Sequence, residues 1–494
     1  MKLESPLQFL EDKTILVTGA AGFLAKIFVE KVLRVQPRVK KLFLLIRAED
    51  DKSAKLRFQD EVISKELFRV LKEKLGAVKL NALISEKVVM VPGDITCEDL
   101  GVKDSFLIEQ MWSQVDVVVN LAATTNFDER YDVALNVNTL GARHVMEFSK
   151  KCSNLAVLVH VSTAYVSGER EGLIHERPYR MGETLNGVSG LDIDAERRVV
   201  EERLEELRVE GASDKAITIA MKELGIERAK IYGWPNAYVF TKAMAEMTVG
   251  HLKGDMPVVT LRPTIVTSTF KEPFPGWAEG VRTVDSLALG YGTGRMTCFL
   301  GDLNGIVDLI PADMVVNSIV VAMAVHANQR SSGLYHMGSS VRNPIRYADL
   351  RDYAYHYFTV NPWVSKDGKP VRVGKMTVLK SMASFHRYMA IRYTFWLKGL
   401  EMANAVFCRS FQGTYSNLSR KIKFVMRLVE LYRPYLFFKG LFDDSNTEKL
   451  RAAAMEGEVE TDVFYFDPKC IDWEDYVMNT HIPGIVKYIF KRSN

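Results

Sequence analysis

Short apolar runs, each closed by a small or polar cluster, alternate with longer mixed stretches through the first two thirds of the chain. The runs are Ile15-Leu16-Val17, Lys41 to Ile46, Lys87 to Val91, Val115 to Asn120, Leu155 to Val161 and Val258 to Leu261. Runs apolar on both faces predict buried parallel strands, and the stretches between them predict crossover helices. The expected fold is therefore α/β, a Rossmann-like doubly wound parallel sheet whose ligand loops lie at the carboxyl ends of the strands. An amphipathic run from Phe23 to Leu33 predicts the first crossover helix.

The rhythm breaks twice. Between the fifth and sixth strands lies a long insert, about 169–232, rich in alternating charges such as Glu196-Arg197-Arg198 and Glu201-Glu202-Arg203. Charge-laced helices face water, so the insert reads as a solvated structural flap ahead of direct acyl contact, and as a lid over the crevice it would shield the reaction from water. After the loop Asn361 to Pro370 the chain turns apolar and basic. This divides it into a reductase-type domain, 1–370, and a smaller, mainly helical C-terminal domain, 371–494. In the latter, Phe385 to Lys398 and Ile422 to Val429 mix bulky apolar residues with cations. Such stretches are core helices with snorkelling cations or lie in a membrane interface.

The candidate chemistry sits at the strand ends. Thr18-Gly19-Ala20-Ala21-Gly22-Phe23-Leu24 joins strand one to its helix. Gly19 permits the tight turn, Gly22 lets the backbone approach a pyrophosphate, and the helix start favours that anion. Arg47 ends the second strand where an NAD-selective protein places an acid for the ribose hydroxyls. A cation there suits a 2′-phosphate, so NADPH is expected over NADH. Asp94 and Ile95 follow strand three beside the expected adenine, and Ala122, Ala123 and Thr124 follow strand four and leave room for the cofactor. Asn138 on the next helix and Pro263 after strand six complete the expected cofactor contacts.

Strand five runs into Ser162-Thr163-Ala164-Tyr165, and Tyr238 precedes Lys242 by one helical turn. That spacing puts a phenol and an ammonium on one face. An adjacent ammonium favours phenolate, so a phenol pKa lowered from about 10 is expected, suited to acid catalysis. The same spacing recurs at Tyr435/Lys439 and Tyr465/Lys469, but only Tyr238 falls between strands five and six. The cysteines at 97, 152, 298, 408 and 470 show neither Cys-x-x-Cys nor metal-ligand spacing and read as structural thiols, which disfavours a cysteine acyl-enzyme. His160 reads as a hydrogen-bonded core residue ahead of a catalytic base. No Ser-His-Asp order can be argued.

The glycine loop, Arg47, Ser162 to Gly168 and Tyr238/Lys242 resemble the extended short-chain dehydrogenase/reductases, with Ala25 where a third glycine is usual. Gly233 to Lys242, Thr267 to Trp277 and Phe442 to Leu450 narrow the resemblance to the plant alcohol-forming fatty acyl-CoA reductases, over nearly the whole chain. The resemblance implies NADPH-dependent reduction of a long or very long fatty acyl-CoA to a primary alcohol for wax or cuticle lipids, through an aldehyde. Thr163, Tyr238 and Lys242 would be catalytic, the last two also touching cofactor. It further implies a peripheral place on the cytosolic face of the endoplasmic reticulum. A homo-oligomer or association with fatty-acid elongation enzymes stays open. An aldehyde-releasing enzyme, a silent NADPH-binding protein, and a sugar-nucleotide or steroid reductase are the other readings.

Composition changes little. With 494 residues, 47% of them hydrophobic, and a net charge of +4, the chain is ample for a large core. Nothing in its mild basicity suggests nucleic acid. The start, Met1 to Pro6, has no signal-peptide core or transit character. No uncharged apolar run reaches the roughly 18 residues of a membrane span. Met314 to Gln329 comes nearest.

Overall fold

The structure, a computed structural model, describes residues 5–281, 283–330, 332–365, 367–406, 412–455 and 462–490. Cys408 and the first four residues lie outside it. Seven parallel strands form the central sheet: β1 (Thr14–Thr18), β2 (Lys41–Ile46), β3 (Val88–Pro92), β4 (Val117–Asn120), β5 (Val157–Val161), β6 (Val258–Pro263) and β7 (Ser332–Met337). Their order is β7-β6-β5-β4-β1-β2-β3, so the chain reverses direction between β1 and β4. At such a switch point the loops diverge and leave a crevice for a ligand. The six strands expected from the apolar runs are present. β7 joins β6 in register from Ser332 opposite Val258 to Met337 opposite Pro263.

The helices that position the site are α1 (Phe23–Val35), α2 (Ile193–Val209), α3 (Asp214–Ile231), α4 (Ala237–Leu252), α5 (Thr283–Gly292), α6 (Ala312–His326), α7 (Tyr347–Val360), α8 (Phe395–Val406) and α9 (Gln412–Leu436). α1 is not amphipathic in its setting. Lys26, Glu30 and Lys31 are as buried as its apolar residues. Lys26 pairs with Glu279, Glu30 with Arg34, and Lys31 with Glu272, while the Lys31 ammonium lies 5.0 Å over the Phe464 ring. Residues far along the chain thus cover what would have been its solvent face. α6, the nearest approach to a membrane span, is a buried core helix. Among the described residues no helix is long and apolar enough to cross a membrane.

The insert is less solvated than its charges suggest. α2 and α3 pack through Val200, Leu207 and Met221 into one cluster with Trp234, Phe240 and Met244 of the α4 region. Glu196, expected in water, is fully buried, accepting from the Tyr131 hydroxyl at 2.7 Å and pairing with Arg228. The insert is therefore a prop for α4. The C-terminal part is also tied in: Gly440–Phe442 pairs in parallel with Gly172–Ile174 of the insert.

Candidate active site

The crevice at the carboxyl ends of β1 and β4 is built around glycine. Gly19 has φ +65°, and a Cβ there would stand 2.8 Å from Ala122 Cα and 2.9 Å from Ala122 N. The two loops touch backbone to backbone, which only glycine permits. Gly22, exposed and extended, caps α1, and its amide donates to the Gly19 carbonyl at 2.7 Å. Ala20 is buried, while Ala21 and Leu24 are half-buried. The Phe23 ring turns inward to stack on Trp277 at 5.1 Å, so its side chain faces the core.

Thr18 fixes the other side of the switch point. Its hydroxyl donates to Asn120 Oδ1 at 2.7 Å and accepts from the Leu121 and Ala122 amides at 3.2 and 3.1 Å. Ala123 is half-buried on the same loop. Asn138 lies in a π-turn, Leu135–Leu140, where such irregularity marks functional places. Its Oδ1 accepts from the Thr124 amide at 3.0 Å, and its Nδ2 donates to the Thr124 carbonyl at 3.2 Å and the Thr241 hydroxyl at 3.0 Å. The side chain expected to touch cofactor thus binds the β4 loop to α4. Asp94 closes a turn by accepting from the Thr96 amide at 2.9 Å, and Ile95 is buried beside Gly141. Arg47 is exposed after β2, and among the described residues no hydrogen bond or ion pair occupies its guanidinium. Its neighbour Arg57 is held by Glu61 at 2.8 and 2.9 Å.

Tyr238 and Lys242 rise from the first turns of α4, which Asn236 caps by accepting from the Val239 amide at 3.1 Å. Lys242 is buried, and its Nζ donates to the Val161 carbonyl at 2.8 Å. Burial lowers its pKa to about 8, against the raising effect of Glu246. Tyr238 stacks on Phe127 with ring centroids 5.4 Å apart. Burial pushes its phenol up to about 12, with the nearby Thr163 hydroxyl working the other way. The expectation of a phenol lowered by its lysine is therefore overturned. The ammonium is engaged by the Val161 carbonyl, and desolvation sets the phenol. Thr163, also buried, places its hydroxyl 3.4 Å from both the Pro263 carbonyl, to which it donates, and the Tyr165 amide, from which it accepts. Beside it, the Ser162 hydroxyl is buried without a partner among the described residues.

His160 is a core residue, as expected. Its Nδ1 faces the Asn120 amide nitrogen at 3.1 Å, and burial together with Lys242 holds it neutral. Burial pushes the Cys152 thiol up to about 12 and raises Cys298 and Cys470, which opposes nucleophilic roles. Among the described residues no cluster could hold a metal.

Three features escaped sequence reasoning. Tyr435, set aside with Lys439 as a chance repeat of the spacing, lies over the site. It is buried, its ring stacks on Phe127 at 5.0 Å, and its hydroxyl accepts from Asn236 Nδ2 at 2.8 Å. Lys439 points away and pairs with Glu171 at 3.0 Å. Second, an apolar cavity opens between α5 and α7, lined by Ala288, Met296, Phe299, Tyr347, Ala354 and Met376 among others. The Tyr347 hydroxyl donates to the Tyr435 carbonyl at 3.2 Å, so the cavity wall connects to Tyr238 through Tyr435 and Phe127. Third, Ser268, His481 and Asp285 form a chain, 3.0 Å from Ser268 Oγ to His481 Nδ1 and 3.1 Å from His481 Nε2 to Asp285. Ser268 is buried and does not line the cavity, so this trio clasps the loop after β6 to the C-terminal segment.

Comparison with known proteins agrees with this architecture. Two family models, both described as male sterility protein, match residues 17–319 (an NAD-binding model) and 392–492. An alcohol-forming fatty acyl-CoA reductase of Simmondsia chinensis is 57% identical over 490 residues, covering 99% of each chain. Fatty acyl-CoA reductase 1 of Arabidopsis thaliana is 52% identical over 488 residues, covering 98% of this chain and 99% of that one. Among solved structures, the terminal reductase domain of the myxalamid biosynthetic pathway shares the fold at TM-score 0.57 and 18% identity, covering 97% of this chain and 92% of its own. With that identity sustained along its whole length, the chain belongs to the plant alcohol-forming fatty acyl-CoA reductase family.

Proposed function

We propose that the protein reduces long or very long fatty acyl-CoA to a primary alcohol with release of CoA, using NADPH. The observation that carries this is the grouping of Thr163, Tyr238 and Lys242 around the end of β5, connected through Phe127 and Tyr435 to the wall of an apolar cavity. The residues fit the cofactor. A glycine-shaped turn opens beneath a helix start, and the Ser162 hydroxyl nearby lacks a partner among the described residues. When bound, NADPH supplies the hydride.

The side chains do the rest. Thr163 and Tyr238 would hold the thioester oxygen, and hydride addition at its carbonyl carbon would give a hemithioacetal alkoxide that collapses to the aldehyde with loss of CoA as thiolate. After exchange of the spent cofactor for a second NADPH, the same hydroxyls would hold the aldehyde for reduction, with Tyr238 giving its proton to the new alkoxide and regaining one from solvent. A phenol near pKa 12 is fully protonated at neutral pH and still far more acidic than an alkoxide's conjugate acid, so the transfer is downhill. Lys242, mostly charged at pH 7 with its pKa near 8, orients the nicotinamide ribose. Incubation with NADPH and a panel of acyl-CoAs tests the reading: primary alcohol is expected, and free acid or no lipid product contradicts it.

Arg47 is the basis for NADPH over NADH. Its exposed guanidinium at the end of β2, without a hydrogen bond or ion pair among the described residues, supports a 2′-phosphate contact. Arg47→Asp is expected to lower kcat/KM for NADPH about tenfold to a hundredfold and leave NADH unaffected or improved, as one charge-assisted pair is worth about 1.5–3 kcal/mol. Unchanged selectivity would remove Arg47 from the site.

The cavity between α5 and α7 suits the far end of the acyl chain, since its walls are mostly aliphatic and aromatic, with Arg351 and His481 as the charged or titratable exceptions. Ala354→Phe would fill it and shift preference to chains shorter by two or more carbons. Each lost methylene contact is worth about 0.8 kcal/mol, roughly fourfold in kcat/KM. An unchanged chain-length profile would place the acyl tail elsewhere.

The reading includes peripheral docking on a membrane of the endoplasmic reticulum type. α8 and α9 pack on each other and leave Phe395, Trp396, Met402 and Phe424 exposed at 62–72% beside Arg392, Lys398, Lys421 and Lys423. Aromatic residues amid cations suit an anionic phospholipid surface. In flotation with anionic vesicles, Phe395→Ser with Trp396→Ser should release most of the bound protein. Equal flotation of native and variant would refute this surface.

A further inference from the structure

We propose that Tyr435 is a positioning residue for Tyr238, so that the C-terminal helix α9 completes the active site. The inference rests on Tyr238 being the proton donor. Tyr435 reaches the donor by two routes. Its ring stacks on Phe127 at 5.0 Å, and Phe127 in turn stacks on the Tyr238 ring at 5.4 Å, with interplanar angles of 29° and 22°. Tyr432, one turn earlier on α9, meets the same Phe127 at 5.4 Å. Two rings from the C-terminal part therefore fix the one ring that lies against the phenol.

The second route runs through the backbone. The Tyr435 hydroxyl accepts from Asn236 Nδ2 at 2.8 Å, and Asn236 Oδ1 accepts from the Val239 amide at 3.1 Å. Asn236 is fully buried, so its rotamer is set by these two bonds. It caps the helix whose second residue is Tyr238. α9 is itself anchored at the same loop: Arg427 donates twice to Asp128 Oδ1, at 2.6 and 2.8 Å, and Lys222 of the insert donates to Asp128 Oδ2 at 3.1 Å. Asp128 adjoins Phe127, so the C-terminal helix, the insert and the ring against Tyr238 meet at one junction. An alcohol-forming reaction needs the phenol in register for two successive carbonyl reductions, and a displacement of about 1 Å can cost on the order of a hundredfold in rate.

Tyr435→Phe keeps the ring and removes only the hydroxyl. Asn236→Ser keeps a helix cap but cannot reach Tyr435. Each is expected to lower kcat about tenfold or more with long-chain acyl-CoA, with unchanged NADPH affinity, a melting temperature lowered by a few degrees at most for the lost buried hydrogen bond, and an increased solvent deuterium isotope effect on kcat. The double variant should lose no more than either single one, since both cut the same bond. Native kcat and isotope effect in both variants would overturn the proposal, while an inactive Tyr238→Phe control kept the donor assignment intact. A kcat loss that merely tracks a fall in melting temperature, with the isotope effect unmoved, would also overturn it. An active Tyr238→Phe would remove the donor reading and this inference with it. Should Tyr435→Phe fail to fold, Asn236→Ser decides.

Discussion

Tyr238→Phe should fold, bind NADPH and form fatty alcohol at about one-hundredth to one ten-thousandth of the native rate, the range general acid catalysis supplies. The ring is what packs, stacked on Phe127, so a phenylalanine keeps the contact. What goes is the hydroxyl that the nearby Thr163 hydroxyl influences. The neighbouring ionisable groups do not replace it: His160 is held neutral by burial and faces Asn120, and the Lys242 ammonium donates to the Val161 carbonyl. Product quantified beside a cofactor titration separates chemistry from binding. A variant within tenfold of native would move the proton donor to another group.

Gly19→Val should be the most damaging change in the loop from Thr18 to Leu24, because it fails twice. At φ +65° a β-branched residue is strained by roughly 1–2 kcal/mol or more. Its Cβ would also meet backbone atoms of Ala122 at 2.8 and 2.9 Å, and backbone cannot swing aside as a side-chain end can. The β1 and β4 loops would have to part where the dinucleotide is expected to lie. NADPH affinity should fall more than a hundredfold, with a melting temperature lowered by several degrees, matching a loss of about 3 kcal/mol. Native affinity in this variant would show that the crevice is not the cofactor's place.

What could be read from the chain, and what could not, divides along a physical line. Parallel strands buried on both faces write themselves as apolar runs, so six of the seven sheet strands and their order of appearance were legible. The missed strand, Ser332–Met337, contains Gly333 and His336 and is no apolar run. Arg262 sits 3.3 Å from the His336 ring, and burial with that charge pushes the imidazole down to about 3. Side-chain roles set by local spacing, such as Tyr238 with Lys242, were legible too.

Environments made by distant segments were not. α1 looked half-solvated because nothing near it in sequence shows that Phe464 covers it. Glu196 looked like one more surface charge in a charged helix, and only the fold brings Tyr131 and Arg228 to it. The phenol's pKa was misjudged for the same reason: the lysine four residues on was visible, the burial was not. Tyr435 is the sharpest case. Spacing made it a decoy, and contact with Asn236, 199 residues earlier, makes it part of the site.

The central claim is four-electron reduction at one site. Its most direct measurement is the ratio of NADPH oxidised to CoA released, in a single-turnover reaction with a long-chain acyl-CoA in lipid, with the lipid product identified. Two NADPH per CoA are expected, with primary alcohol as the end product. One NADPH per CoA with accumulating aldehyde, or CoA released without NADPH oxidation, would contradict it.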